Sequence, residues 1–473
     1  MLQHKPFVKQ IPNVKFTRRH TFLAILLLLL LLTACVVRPL NRTPYQETEY
    51  YEETITDLQQ SPAIISKGDT VEVGWAKVNI TPPTGTPLAG YGKRLGMEYE
   101  EVHDSAWVRT FAFSNGETTA YYVALDMLIV PMEVQEKLEK ELQKLNLKPE
   151  QVYLTATHSH TSFGGWGKNL GIKIMTGKYD EHLVENLVQH VLKSMQLAYS
   201  NKLPTKIGYG STNASSLVKN RLLGDPDNPY YADRRTNRDT KLRFVKFEHP
   251  DGATAVLSSF AAHPTLLPSM VPTLSRDYPG VLVDTLVQQQ KVSFAAFSAG
   301  AVGSHSAVYF DGDSFESTRA VGGRLANLLR KELPHVETAY VQTIGYGRVS
   351  FELPEASWRI SDNLRLAPFL FNSIFGQHPA YVTSLQIGDI VFLGAPADYS
   401  GEFVGQIEQQ ANQQGLQAIV TSFNGGYIGY ITPDKYYDLE EYETRSMNFF
   451  GPHSGSYLTE IILRQLQQHE HVQ

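Results

Sequence analysis

Apolar positions change their period several times along this chain, and each change marks an element. Residues 121–130 and 151–157 are short, nearly unbroken apolar runs, the pattern of strands buried on both faces. Between them, residues 131–147 place apolar side chains at helical spacing, with Glu and Lys at the intervening positions. Residues 180–198 repeat the stripe through Leu183, Leu187, Val191 and Met195. The spacing predicts amphipathic helices there, and two more over 322–333 and 401–413. Strands alternating with helices predict an α/β fold of mixed sheets flanked by helices. No repeat of solenoid length and no second shift in texture interrupts 74–473, which predicts one large continuous domain.

The first seventy residues read differently. Lys5, Lys9, Lys15, Arg18 and Arg19 precede an unbroken apolar run, 22–32, and no acidic residue comes before position 35. That run is short for a bilayer span and fits the core of an export signal. It ends in Leu32-Thr33-Ala34-Cys35, which resembles the lipobox of bacterial lipoproteins. The resemblance implies a signal peptide over 1–34 and a lipid on Cys35. Val36 stands where an aspartate would hold such a protein at the inner membrane, which implies an outer-membrane location in the cell envelope. An uncleaved membrane helix would have to extend through 33–37. Cys35 is the single cysteine, so no internal disulfide forms. The rest of 35–73, with Glu47, Glu49, Glu52 and Glu53 among prolines and tyrosines, predicts an acidic tether.

Composition narrows the function classes. At 473 residues and 42% hydrophobic, the chain has material for a large core. Its net charge is −6, and losing the five leader cations takes it to −11. A body that acidic lacks the basic footprint of a nucleic-acid binder. Membrane attachment then falls to the lipid, and no protein partner is predicted.

Candidate chemistry is concentrated at two strand ends. An apolar strand runs into His158-Ser159-His160 and then Gly164-Gly165. On a strand, histidines two apart face the same side, and imidazole is a common zinc ligand. The pair alone more often means two satisfied loop histidines. A second strand, however, ends in Ala262-His263-Pro264, with the proline breaking it at the histidine. A catalytic zinc also takes an acid, and Asp398, after the run 390–395 and Pro396, is placed for that role or for capping the next helix. Glu402 is the fallback acid. Arg221, in Asn220-Arg221-Leu222, reads by itself as a surface arginine, and Tyr430 as a core aromatic.

These segments resemble, in order, the blocks of the zinc-dependent neutral ceramidases: Ile80-Thr-Pro-Pro83, Ala89-Gly-Tyr-Gly92, Ala156-Thr-His-Ser-His160, Ala262-His-Pro-Thr265, Gly429-Tyr-Ile-Thr432, Glu441-Tyr-Glu443 and Gly451-Pro-His453. The resemblance covers residues 74–460, the family's catalytic domain, without the β-sandwich that follows in many members. It implies Zn2+ held by His158, His263, Asp398 and Tyr430, with aspartate on a shorter arm where the family has glutamate. It implies roles for His160, Arg221 and Tyr442 in stabilising an oxyanion. The family's serine beside the metal falls, in strict register, on Gly303, with Ser304 one residue away. The expected activity is hydrolysis of an N-acyl amide of a ceramide-like lipid. Two alternatives stay open: a zinc hydrolase of another envelope amide or ester, and a non-catalytic lipid-binding lipoprotein.

Overall fold

The computed structural model of the protein describes residue 22 and residues 36–469, apart from 290, 291, 311 and 378. Apart from residue 22, the expected signal peptide and Cys35 lie outside the described residues.

One topology occurs three times. In the first unit, β2 (Glu72–Asn79), β3 (Trp107–Ser114) and β4 (Thr119–Leu125) pair antiparallel in sequence. Helix α2 (Met132–Lys144) crosses over to β5 (Val152–Ala156), which lies parallel to β4, and α3 (Glu181–Ser200) follows. The second unit repeats this order after the short strand β6 (Leu203–Pro204). It runs β7 (Lys206–Asn213), β8 (Lys241–Glu248), β9 (Thr254–Phe260), α4 (Asp277–Gln289), β10 (Phe294–Ala299) and α5 (Ser314–Glu332). After β11 (Ala339–Tyr340), the third unit runs β12 (Thr343–Phe351), β13 (Ala380–Ile387), β14 (Ile390–Ala395), α6 (Val404–Gln413), β15 (Gln417–Ser422) and α7 (Ser454–Gln467).

The three sheets are laced cyclically. β6 is the edge of the first sheet but leads into the second, and β11 is the edge of the second but leads into the third. The ring closes through the N-terminal strand β1 (Ile64–Lys67), which pairs with β12 of the third sheet before the chain enters β2.

Burial explains the run-like strands. The inner faces meet in one apolar cluster to which every sheet contributes, including Phe111 and Tyr122, Phe247 and Phe294, and Leu385 and Phe392. The Phe111 ring lies 4.8 Å from Phe247 and 5.3 Å from Phe294. Each outer face is covered by the helices of its own unit, as when Leu138 of α2 and Val188 of α3 join the cluster over the first sheet. Strands covered on both faces need no polar alternation, which is why the sequence shows apolar runs. Mixed sheets flanked by helices are thus the architecture.

Several boundaries move, for local reasons. The run expected as a strand over 121–130 leaves the sheet after Leu125, because Asp126 turns in to bind the Trp107 N–H and the Arg109 guanidinium. The helix expected from 322 starts at Ser314, where Asp313 and Glu316 form a reciprocal capping box. Residues 401–403 make a tight turn capped by Ser400 before α6 starts, so Asp398 is not the cap.

The tether reading is overturned for the residues described. Residues 49–60 form helix α1 (Glu49–Gln60), and the tyrosines that looked like spacer are its packing residues. Tyr45, Tyr50 and Tyr51 crowd around Tyr457 of α7, with the Tyr45 and Tyr51 hydroxyls donating to Glu460 at 2.7 and 2.8 Å. No described helix is long and apolar enough to cross a membrane.

Candidate metal centre

Each sheet sends one side chain to the same point. His158 follows β5 of the first sheet, His263 follows β9 of the second, and Asp398 follows β14 of the third. All three leave the carboxyl ends of their strands, where ligand crevices of α/β sheets form. A short parallel bridge pairs Asp398 with Tyr430, so the tyrosine arrives with the acid.

The imidazoles meet through their Nε2 atoms. His158 Nε2 is 2.9 Å from His263 Nε2 and 3.0 Å from His160 Nε2. His158 Nδ1 donates to the Leu128 carbonyl at 2.6 Å and His263 Nδ1 to the Val302 carbonyl at 3.1 Å. Those bonds place the ring protons on Nδ1 and leave bare lone pairs on Nε2. Burial holds the pKa of His158 down to about 3 and those of His160 and His263 well below the ordinary imidazole value.

The carboxylate completes the cluster. Asp398 Oδ1 is 3.5 Å from His158 Nε2 and 3.4 Å from His263 Nε2, and this buried oxygen has no hydrogen-bond partner. Its Oδ2 accepts from the Tyr427 hydroxyl at 2.7 Å. Burial pushes the Asp398 carboxyl up to about 7. Two bare nitrogens, the His160 Nε2 beside them and an orphaned carboxyl oxygen around one point are what a divalent cation would satisfy, and imidazole with carboxylate is a zinc-type donor set.

Two of the five non-glycine residues with positive φ among the described residues, His158 and Phe423, meet here. His158 adopts φ 62°, a left-handed conformation that non-glycine side chains avoid, and Phe423 stacks flat on its ring at 3.8 Å. Gly90 has φ +99°, and a Cβ there would sit 2.5 Å from His160 Cα, so only glycine lets the Ala89–Gly92 loop lie against the triplet.

A polar shell orients the cluster. Arg221 Nε donates to Glu443 Oε1 at 2.6 Å and Nη2 to the Tyr430 hydroxyl at 2.9 Å, and that hydroxyl lies 3.3 Å from His263 Nε2. Burial alone would lower the Arg221 pKa, but the Tyr430, Glu443 and Asp398 charges outweigh it and raise it. The surface-arginine reading is therefore replaced by a positioned one. Tyr442 packs edge-on against Tyr430 at 5.6 Å and is 55% exposed.

The other expected residues are elsewhere. Glu402 accepts from Asn220 Nδ2 and the Tyr436 hydroxyl at 2.9 and 3.0 Å, away from the imidazoles. Ser304 is buried in its own network with Ser400 at 2.6 Å and His305 at 3.0 Å. A Cβ on Gly303 would meet the Asp398 carbonyl at 2.2 Å, so a serine cannot be restored in that register without moving the strand that carries Asp398. Sequence reasoning passed over Tyr427 and Phe423, and it quoted Glu443 without a role. A separate cavity of about 540 Å3, lined by Tyr50, Glu352, Arg365, Tyr437 and His453, includes none of His158, His160 and His263.

Comparisons with known proteins agree with this picture. Residues 71–311 match the profile described as neutral/alkaline non-lysosomal ceramidase, N-terminal. The neutral ceramidase of Pseudomonas aeruginosa is 24% identical over 218 residues, 44% of this chain and 32% of that protein. That of Mycobacterium tuberculosis is 20% identical over 205 residues, 41% of this chain and 32% of that protein. The matches thus span about a third of the length of these curated relatives. A solved ceramidase complexed with C2 superposes with a TM-score of 0.74 at 18% identity, covering 83% of this chain and 74% of that one. The crystal structure of neutral ceramidase from Pseudomonas aeruginosa gives 0.70 at 18% identity, covering 83% and 73%. These two likenesses speak for the fold, and with the profile match over more than half the sequence, the chain belongs to the neutral/alkaline non-lysosomal ceramidase family.

Proposed function

We propose that this protein is a zinc-dependent hydrolase of the envelope that cleaves the N-acyl amide bond of a ceramide-like lipid. The observation that carries the reading is the convergence of three imidazole Nε2 atoms, two of them bare, with the unpartnered Asp398 Oδ1. His158, His263, Asp398 and Tyr430 are the residues that would hold the ion, with His160 beside them. When bound, zinc supplies Lewis acidity toward an acyl carbonyl and makes water acidic enough to attack near neutral pH.

The chain's own groups prepare that chemistry. The Leu128 and Val302 carbonyls fix the ring tautomers, and Tyr427 aims the Asp398 carboxylate. Imidazoles whose pKa burial has lowered need shed no proton to become ligands. Arg221, fixed by Glu443, presents positive charge beside Tyr430, and with His160 and Tyr442 it stabilises negative charge on the acyl oxygen. Hydrolysis leaves the oxygen of water on the acyl carbon and a proton on the departing amine.

The test is metal analysis together with a panel of N-acyl lipids and matched esters. The expected result is one zinc per chain and cleavage of the amides, with His263→Ala losing both. Active protein free of zinc would refute the reading. A second reading, hydrolysis of another envelope amide or ester, is favoured by Gly303 standing where the family has serine, and cleavage confined to esters would select it. Zinc-free protein that binds lipid and cleaves nothing would select the lipid-binding alternative. Attachment through acylated Cys35 at the outer membrane belongs to the same proposal, and Cys35→Ala should move the protein out of the membrane fraction.

A further inference from the structure

Three segments beside the metal centre form a face that the mechanism leaves unused. The loop around Gly92 touches Met175 of the helix Leu170–Thr176, a glycine Cβ there lying 3.6 Å from the sulfur. That helix packs against the helix Pro368–Phe375, with Gly171 on the Phe375 ring and Asn169 Nδ2 donating to the Phe375 carbonyl at 2.6 Å. Trp358 underlies the second helix, its ring 4.9 Å from that of the helix's buried Phe371.

This face borders the imidazoles. Arg94 donates to the His160 carbonyl and to the Ser269 carbonyl, bringing Leu95 and Met270 to the rim. Gly165, five residues past His160, donates to the Thr176 carbonyl at 2.8 Å. Large apolar side chains nonetheless stand in solvent: Leu95 is 70% exposed, Leu170 58%, Ile174 49%, Met270 58% and Phe369 58%. A helix this short would bury such residues if its outer face only filled a core.

Charge indicates the occupant. The chain as a whole carries −6, yet residues 91–97 and 164–178 hold five Lys and Arg and no acid, with Glu98, Glu133 and Asp180 at their borders, and residues 367–377 hold no charge at all. Lys93, Lys173 and Lys178 are exposed and make no ion pair among the described residues. Aliphatic side chains ringed by free lysines on helices too short to span a bilayer suit the headgroup layer of an anionic membrane.

We propose that this face docks on an anionic lipid bilayer, its apolar side chains entering the headgroup layer and its lysines meeting lipid phosphates. A lipid then passes from the membrane to the imidazoles without crossing bulk water. The inference goes beyond the proposed activity, and its test reads neither metal nor hydrolysis. Hydrogen–deuterium exchange is followed on the full chain with phosphatidylcholine vesicles and with phosphatidylcholine–phosphatidylglycerol vesicles. Slower exchange is expected in 91–97, 170–176 and 368–375, and more so with the anionic vesicles. Ile174→Glu with Phe369→Glu should abolish that protection while exchange in the sheets stays unchanged. Lys93→Gln and Lys173→Gln should each weaken vesicle partitioning about fivefold, the equivalent of ~1 kcal/mol per cation near an anionic surface. Protection confined to the N-terminal segment, or equal in the double Glu variant, overturns the proposal.

Discussion

Asp398→Asn in metal-free protein isolates the cost of assembling this centre before an ion arrives. The carboxyl is 1% exposed, and burial lifts its pKa from 3.8 to about 7. A carboxyl raised on folding contributes stability that is fully present below its unfolded pKa and is lost as pH climbs through the folded one, because the unfolded chain ionises first. The gap of about 3 units corresponds to about 4 kcal/mol at pH 8, about 2 kcal/mol at pH 5.5 and well under 1 kcal/mol at pH 4. Asparagine does not ionise, can still accept from Tyr427, and offers an N–H to the bare Nε2 atoms 3.4 and 3.5 Å away. Chelated Asp398→Asn protein should therefore be more stable than chelated wild type at pH 8, with the gain shrinking as pH falls to 4. Urea midpoints read at several pH values measure this. Adding zinc should reverse the order, since ligand binding stabilises only the chain that retains its anionic ligand. A pH-independent difference, or a metal-free variant weaker than wild type at pH 8, would refute the argument.

Three further outcomes follow from the same geometry. Arg221→Lys cannot reach Glu443 and Tyr430 together, so kcat should fall about 10²-fold with zinc content unchanged, as steady-state kinetics beside metal analysis would record. Gly90→Ala drives a methyl to 2.5 Å from His160 Cα, and weaker zinc retention in a competition titration is expected. Asp126→Ala strands the buried Arg109 guanidinium and should cost about 3–5 kcal/mol by denaturant unfolding, while the metal site itself stays intact.

Much of this site was legible because its signals are local. His158-Ser159-His160 and His263-Pro264 declare themselves as strand ends, and Asp398 follows a strand broken by proline. Ordered blocks carried the rest, including Arg221 and Tyr430, which spacing alone assigned to the surface and the core. The partners that tune the ligands were harder to see, because Leu128 and Val302 act through backbone carbonyls and Phe423 through a ring face. The three-unit topology was hidden for a similar reason. Runs such as 121–125, 294–299 and 390–395 share burial on both faces but no residue pattern, so the repeat lives in strand order. The misread tether shows the opposite error. Glutamates and tyrosines at 45–53 look solvated, yet the tyrosines find Tyr457 and Glu460 some four hundred residues away.

The cyclic lacing of the sheets has a consequence for how the chain is made. Ile64–Lys67 find their only ladder partners at 343–346, and Tyr45 and Tyr51 theirs on the last helix. The N-terminal end therefore stays unpaired until nearly the whole polypeptide exists, and closing so long a loop makes that step slow. A chain whose first segment docks last is held open during synthesis. Folding then finishes by tying the N-terminal segment to the body, so the ring of sheets closes only once the last helix has been made.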